Sequence, residues 1–168
     1  MIKTLEKDGK IIAEISIKKM TREENKDGAV MFQNLFWYLG QKDFVDIEKD
    51  YVYYIDSIYV EPEYRRKGYG SVILSRALGS IKKEEPKFSK VLVVAKSCLM
   101  TREFPEEPDN LTYNRILSRN GLFYEKNKFI SVNDIIGNYG SSEVFMFNGP
   151  ACKKFIACLE SFKRRKQK

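Results

Sequence analysis

The sequence predicts a mixed α/β fold, in which helices pack against a central sheet that contains an antiparallel hairpin and one parallel βαβ crossover. The first observation is that Asp8-Gly9 separates two short β-like segments. The second is a glycine-containing turn at residues 68–70, which separates a strand-like segment from a helix-like one. The third is a length of 168 residues with 43% hydrophobic residues, which allows a sizeable core without a disulfide or structural metal. We therefore expect one domain over residues 1–162 and a basic tail over residues 163–168.

The first two strands are predicted from the turn between them. Segments Ile2–Glu6 and Ile11–Ile17 flank Asp8-Gly9, a dipeptide that favours two-residue hairpin turns because both positions need a positive φ. The polar stretch from Thr21 to Gly28 then reads as a loop. Residues 29–39 have apolar spacing that fits a helix and aromatic content that fits a strand, so both assignments stay open.

A βαβ crossover is predicted in the middle of the chain. Tyr51–Val60 is almost entirely β-branched or aromatic, which is typical of a strand buried on both faces, and only Asp56 interrupts it. Ser71–Ile81 has the spacing of an amphipathic helix, and Phe88–Ala95 reads as the next buried strand. Such a crossover implies a parallel pair with ligand binding beyond the carboxyl ends of its strands.

The C-terminal half is predicted to contain two helices and two strands. Asn110 can cap a helix that runs to Asn120 and ends at Gly121. The last predicted strands are Phe123–Val132 and Glu143–Phe147, and the last predicted helix is Ala151–Phe162.

Composition excludes several classes of site. The chain has no histidine, which excludes Ser-His-Asp triads, Cys-His triads and HExxH zinc sites, and we expect no metal.

Three cysteines without CxxC spacing and no signal-peptide pattern predict a cytoplasmic protein. No apolar run reaches the roughly 18 residues of a membrane helix, so no membrane partner is expected. Of the net charge of +7, five positive charges lie in residues 163–168, which favours a solvated helix end over a nucleic-acid site.

The turn from Arg65 to Gly70 has the features of an anion site. Glycine lets the backbone turn tightly and approach a ligand, and the start of a helix adds about half a positive charge. Arg65, Arg66 and Lys67 add three full charges. The turn lacks both GxxxxGK[ST] and the third glycine of GxGxxG.

In its wider context, residues 55–70 (IDSIYVEPEYRRKGYG) resemble motif A of the GNAT superfamily of acyl-CoA-dependent N-acyltransferases. The residues in register with that motif are Val60, Pro62, Arg65, Gly68 and Gly70. The resemblance implies the GNAT fold, whose central sheet is mixed, mostly antiparallel and splayed, with one parallel crossover and flanking helices. It also implies acetyl-CoA as cosubstrate and an amine, on a small molecule or a protein, as acceptor.

The resemblance also implies the residues that bind acetyl-CoA. In the family, the strand before the turn pairs with the pantetheine arm, and the turn holds the pyrophosphate. The pantetheine positions are Ile58, Tyr59 and Val60, and the pyrophosphate positions are Arg65, Arg66, Lys67, Gly68, Tyr69, Gly70 and Ser71. Glycine is common in the family where this chain has Arg66, and the backbone can serve there if φ is negative.

A weaker resemblance concerns the family motif N-x6-Y-E-K-x-G-F, whose asparagine contacts the cofactor and whose tyrosine protonates the departing thiolate. One register uses Asn110 and Gly121, and puts Leu117 at the tyrosine position. The other uses residues 123–129 and supplies Tyr124, but it puts Lys128 at the glycine and loses the asparagine. We prefer the first register, because Asn-Gly at 120–121 is a natural helix stop. The family's two early helices are not recognisable between the first strands.

Thioester aminolysis needs a route for the amine proton, and Asp56 is the predicted base. It interrupts an apolar strand near the position where several family members place a glutamate; the alternative is a structural Asp at a bulge or in an ion pair. The candidates for the acid are Tyr124, Tyr113 and Tyr54, each of which also fits a core tyrosine.

The leading hypothesis is an acetyl-CoA-dependent N-acetyltransferase that acts on a primary amine by direct attack in a ternary complex, as a monomer or a homodimer. The loop after the crossover carries four carboxylates: Glu103, Glu106, Glu107 and Asp109. Two interpretations stay open, namely that they attract a cationic amine or that they only form a solvated loop. The competing hypothesis is a catalytically inactive module of the same fold that contacts nucleic acid or an acidic protein.

Overall fold

The computed structural model describes residues 1–21, 35, 51–96, 119–133 and 143–166. Six strands form one sheet in the order β1-β2-β3-β4-β6-β5, and every neighbouring pair is antiparallel except β3 and β4. The elements are β1 (Ile2–Lys7), β2 (Lys10–Thr21), β3 (Tyr51–Val60), α1 (Tyr69–Glu84), β4 (Val93–Lys96), α2 (described over residues 119–126), β5 (Phe129–Ser131), β6 (Val144–Phe147) and α3 (Pro150–Lys166). This is the predicted mixed α/β fold with one parallel pair.

The predicted hairpin between β1 and β2 is confirmed. Asp8 and Gly9 both have a positive φ, 52° and 73°, as a two-residue hairpin turn requires. No helix lies between these strands, because the two turn residues connect them directly. β2 continues to Thr21, four residues past the predicted end, because it pairs with β3 along that length.

The predicted crossover is also confirmed, with two differences in its strands. α1 connects β3 to β4, and the two strands pair in parallel. Residues Phe88–Lys90 were expected to begin the second strand but form a short 3₁₀ helix, and β4 itself starts at Val93. β3 was expected to be buried throughout, but only residues 52–55 are; the second half, from Asp56, is half-buried.

Apolar side chains cover both faces of the sheet. On one face, α1 buries Ile73, Leu74, Ala77 and Ile81 against β1 to β4. On the other, α3 packs Cys152, Phe155 and Leu159 against residues of β3, β4 and β6, and Leu35 joins this cluster. Burial raises the pKa of the Cys152 thiol to about 11, so at neutral pH this cysteine is a packed apolar side chain.

The predictions for the C-terminal half need correction. Gly121 was expected to end a helix, and a strand was expected from Phe123, but residues 119–126 are helical and β5 begins only at Phe129. Gly121 is buried, and a Cβ there would lie 3.2 Å from Cζ of Phe145. The glycine therefore allows α2 to approach β6 closely. α3 also extends beyond the predicted Phe162, to Lys166.

A buried polar cluster joins the end of α1 to the start of β3. Glu85 is 4% exposed and its Oε1 accepts hydrogen bonds from the hydroxyls of Tyr51 (2.5 Å) and Tyr53 (2.8 Å). Lys19 of β2 lies 3.5 Å from the same oxygen and 2.8 Å from Oε1 of Glu84, and its Nζ stands over both tyrosine rings. Because each buried polar group has a partner, the cluster holds three elements together at low cost in desolvation.

In the part of the chain that the structure describes, no helix has both the length and the apolar content to cross a membrane.

The polar cluster should make the protein sensitive to alkaline pH. The hydrogen bond to Glu84 raises the pKa of Lys19, and burial raises the pKa of Tyr53. Both shifts favour the protonated form in the folded state. Their stabilisation is therefore complete below the unfolded-state pKa values of about 10 and is lost as the pH rises through the higher folded values.

We expect the free energy of unfolding, measured by urea denaturation, to decline above roughly pH 10. In Tyr53→Phe the decline should be shallower, because one of the two groups is gone, whereas Lys82→Met on the exposed surface of α1 should keep the wild-type slope. Equal slopes in wild type and Tyr53→Phe would contradict this account of the cluster.

Candidate functional site

The site begins where β3 and β4 stop pairing. Cα pairing between them covers only Tyr53–Ile55 with Val93–Ala95, whereas β3 continues to Val60 and pairs with β2 along that length. Within the described residues, no strand pairs with the β4-facing edge of residues 57–60. This edge includes Ile58, Tyr59 and Val60, the predicted pantetheine positions. Among the described residues, the Val60 carbonyl oxygen on this segment accepts a hydrogen bond from Nε of Arg65 at 2.8 Å.

Asp56 lies at the point of separation, in a β-bulge. The β2–β3 register pairs Ser16 with Ser57 and Ile17 with Ile55, so Asp56 is the extra residue. Its carboxylate pairs with Nζ of Lys18, with Oδ2 2.9 Å from the nitrogen. About a third of the Asp56 side chain is exposed (34%). The alternative to a catalytic role for Asp56 is a structural Asp at a bulge or in an ion pair, and both features are present. They also put an accessible carboxylate at the end of the parallel β3–β4 pairing.

Asp56 faces the side of the sheet opposite α1. Ile17 packs in the core under α1, and Lys19 contacts Glu84 at the end of that helix. Because side chains alternate along a strand, Lys18 between them points to the other face, and Asp56 meets it there. Sequence reasoning missed Lys18, because the bulge that aligns it with Asp56 is not visible in either strand alone.

The turn after β3 has a left-handed backbone at two positions. Gly68 precedes α1 with φ 86°, and Arg66 has φ 60°. Arg66 therefore does not meet the condition of a negative φ, and this arginine adopts the conformation that glycine would adopt more easily. The two positions reverse the chain between the short 3₁₀ helix Pro62–Tyr64 and α1.

The start of α1 presents unpaired amides. The first intrahelical bond runs from the Val72 amide to the Gly68 carbonyl at 3.1 Å, and no side chain caps the helix. The amides of Tyr69, Gly70 and Ser71 therefore have no intrahelical acceptor. The first turn of the helix contains no acidic residue, so its positive dipole end is not neutralised.

Cationic side chains surround this helix start. Arg66 and Lys67 are exposed on the turn itself. Lys67 from the turn and Lys7 from the end of β1 both lie over the ring of Tyr64, with Nζ 5.6 and 5.8 Å from its centroid. Arg65 folds back over Tyr59, at 5.7 Å from Cζ to the centroid. The local charge suits a ligand with several phosphates.

The two glycines of the turn have different surroundings. A Cβ at Gly68 would meet no atom of the described residues within 4 Å, whereas a Cβ at Gly70 would lie 3.1 Å from Cε2 of Phe123 and 3.7 Å from Cγ2 of Val60. The backbone at Gly68 therefore faces open space, where a ligand can approach it. Gly70 instead allows α2 to pack against the start of α1, and so brings Phe123 and its neighbour Tyr124 close to the site.

The local structure around Tyr124 bears on the two alignments of the C-terminal motif. Tyr124 lies on α2, a turn follows, and β5 begins at Phe129. Lys128 in that turn has φ 66°, the conformation that suits the glycine of the motif. The register that contains Tyr124 therefore fits the local structure, and the helix stop on which the preference for the other register rested is absent.

Tyr124 is buried on the face of the sheet that carries α1. It is 7% exposed and stacks on Phe145 with the centroids 5.4 Å apart, and Phe123 and Phe129 contact it edge-on or tilted. Asp56 faces the opposite side of the sheet. The two predicted catalytic residues therefore lie on opposite faces of the sheet, with Tyr124 packed against rings of α2, β5 and β6. The competing Tyr54 is buried on the α3 face.

Several predicted site residues lie outside the described residues. These are Asn110, Tyr113, Leu117 and the acidic loop with Glu103, Glu106, Glu107 and Asp109. Among the residues that are described, no group of three His, Cys, Asp or Glu side chains could hold a metal ion.

A comparison with models of protein families gives a match. A model described as the acetyltransferase (GNAT) family matches residues 2–102, which is 101 of the 168 residues. The matched segment includes the hairpin, the open edge of β3, Asp56, the glycine turn and α1. It does not include α2 with Tyr124. A comparison with curated proteins finds no match.

The left-handed backbone at Lys128 leads to a stability prediction. Replacing Lys128 with glycine removes a conformational cost of about 1–2 kcal/mol for a residue with a Cβ. Glycine adds roughly 0.5–1 kcal/mol of unfolded-state entropy. We expect Lys128→Gly to raise the free energy of unfolding by about 0.5–1 kcal/mol in urea denaturation.

Lys128→Ala is the matched control, because it removes the same ammonium and keeps the Cβ. It should not stabilise the protein. If the alanine and glycine variants were equally stable, the backbone conformation at this turn would not be the cause.

Proposed function

Because the chain belongs to the acetyltransferase (GNAT) family, we propose that it transfers an acetyl group from acetyl-CoA to a primary amine, by direct attack in a ternary complex. The observation that carries this proposal is the continuity of the open edge of β3 with the uncapped start of α1. One ligand can pair with the edge and place a phosphate group on the amides. Acyl transfer of the GNAT type is the activity of the family.

The residues present fit acetyl-CoA. Its pyrophosphate would be held by three kinds of group at the turn. These are the backbone amides of Tyr69, Gly70 and Ser71, the open side of Gly68, and the charged side chains of Arg66 and Lys67. The edge of β3 at Ile58 and Tyr59 would pair with the pantetheine arm, whereas Arg65 supports that edge through the Val60 carbonyl. When bound, acetyl-CoA supplies the thioester that activates the acetyl group.

Asp56 is proposed as the proton acceptor. A carboxylate at the bulge lies beside the last paired residues of β3 and β4, and its partial exposure lets an amine reach it. The chain has no histidine that could take this role. Backbone amides of the open edge of β3, at Ile58 to Val60, would polarise a carbonyl, which is how preorganised donors stabilise an oxyanion.

Tyr124 is proposed as the proton donor to the leaving thiolate. Three features favour Tyr124 over Tyr54 for this role: its register in the motif, its position next to Phe123 and its burial on the α1 face.

The acceptor is proposed to be a cationic amine, because Asp56 already forms an ion pair with an ammonium group. The free thiols of Cys152 and Cys158 support a reducing compartment such as the cytoplasm.

The first test concerns the glycine turn. Gly68→Val adds a branched side chain where φ is 86° and where the ligand must approach the backbone, so it should abolish acetyl-CoA binding in isothermal calorimetry. Gly79→Val is the control, because Gly79 is also in open space on α1 but lies away from the turn. Circular dichroism confirms that both variants are folded. An unchanged dissociation constant in folded Gly68→Val would remove the assignment of this turn.

The second test concerns Asp56. Asp56→Asn keeps the shape of the side chain but removes its basicity, so kcat should fall by roughly 10²-fold or more. The acetyl-CoA dissociation constant should change little, and the acidic limb of the pH-rate profile should disappear. Free-thiol release with a panel of amines measures the rate. Glu6→Gln, an exposed carboxylate on β1, is the control.

A kcat within a few-fold of wild type, together with a persistent acidic limb, would mean that Asp56 is structural. Binding of acetyl-CoA without thiol release for any amine would instead favour the inactive module.

A further inference from the structure

The nearest amine to the proposed base belongs to the protein itself. Nζ of Lys18 lies 2.9 Å from Oδ2 of Asp56, and 59% of the Lys18 side chain is exposed. A general base must lie about 2.6–3.2 Å from the atom whose proton it takes. Lys18 therefore already meets the distance criterion that an external acceptor amine would have to meet.

The position of Lys18 along the sheet also fits. Its Cα pairs with Tyr54, one residue before the last β3–β4 pair, Ile55 with Ala95. The side chain then reaches past that pair to Asp56 at the bulge. Its nitrogen thus lies beside Asp56, the first residue of β3 beyond the segment paired with β4, and the proposed function puts the thioester in the opening that begins there.

From this juxtaposition we propose that Lys18 is an internal acceptor, and that the protein acetylates its own Lys18 in cis. The inference rests on the proposed function, since it uses the same donor and the same base. It adds a modification site on β2 and a defined amine substrate, the ε-amine of one lysine.

The reaction balances without a further reactant. One proton of the Lys18 ammonium passes to the Asp56 carboxylate and then to solvent, which leaves a neutral amine. The nitrogen lone pair forms a bond to the acetyl carbonyl carbon, and the carbon–sulfur bond breaks with its electron pair on sulfur. The second proton lost by nitrogen ends on that thiolate. The products are Nε-acetyl-Lys18, free CoA and one proton released to solvent.

The neighbouring lysine cannot take this role. Lys19 points to the opposite face, with Nζ 2.8 Å from Glu84 and above the rings of Tyr51 and Tyr53. Its nitrogen is therefore held at the end of α1, away from Asp56. Selectivity between two adjacent lysines therefore follows from the alternation of side chains along β2.

Acetylation of Lys18 would also change the site. The product is a neutral amide, so the ion pair with Asp56 is lost. The carboxylate is then free to bind the ammonium group of an external amine. An external amine and Lys18 should therefore compete for Asp56 until Lys18 is modified.

The experiment incubates the purified full-length protein with acetyl-CoA alone and follows acetylation by intact mass and by peptide mapping. We expect the mass of one acetyl group on Lys18, with a first-order rate that does not depend on protein concentration. Lys18→Arg should abolish the modification, and Asp56→Asn should slow it by roughly 10²-fold. Lys10→Arg, an exposed lysine on the same strand, is the matched control and should acetylate like wild type.

Two further measurements distinguish enzymatic from non-enzymatic acetylation of Lys18, and distinguish failure of this inference from failure of the proposed function. Gly68→Val, which should not bind acetyl-CoA, must leave Lys18 unmodified; equal labelling there would mean non-enzymatic acetylation and would overturn the inference. Acetyl-CoA binding and transfer to external amines are measured on the same wild-type sample. Normal binding and transfer with an unmodified Lys18 would overturn the inference alone, whereas loss of acetyl-CoA binding would overturn both.

Discussion

The early end of the pairing between β3 and β4 is the constraint on which the rest of the site depends. β3 has ten residues, yet only three of them pair with β4, whereas β2 supports β3 along nine of its positions. A strand that pairs along just one of its edges exposes a row of backbone donors and acceptors along the other edge. In most sheets such an edge is covered or paired, but here it lies inside the sheet and faces a gap. The open edge ends at Val60 and the glycine turn follows it in the chain, so the strand edge and the start of α1 are joined by a short segment.

The opposite end of β3 is held closed by the polar cluster around Glu85. Tyr51 and Tyr53 bond this buried carboxylate, and Lys19 connects it to β2. A buried charge is stable only when its partners are well placed, so the cluster restricts how β2, β3 and α1 can move relative to one another. The strand is thus fixed at its start and open at its end, and the bulge at Asp56 marks the change.

Local signals in the sequence were sufficient for several elements. Asp8-Gly9 predicted the hairpin, and the β-branched run at residues 51–60 predicted the bounds of β3, because each depends on preferences of the residues themselves. The turn at Gly68 was predicted for the same reason. The C-terminal half was not predicted as well. Gly121 looked like a helix stop, yet it is a site of close packing against Phe145, and a packing contact with a distant strand has no local signature.

The sequence by itself determined the fold class, the parallel crossover, the position of the glycine turn and the absence of histidine chemistry. Tertiary structure alone decided that Asp56 lies in a bulge beside Lys18, that Asp56 and Tyr124 face opposite sides of the sheet, and that Arg66 and Lys128 adopt left-handed conformations. The physical reason is the range of the interactions. Turn and strand propensities act between neighbours in the chain, whereas strand register, helix packing and ion pairs join residues far apart in sequence, and their geometry exists only once the sheet has formed.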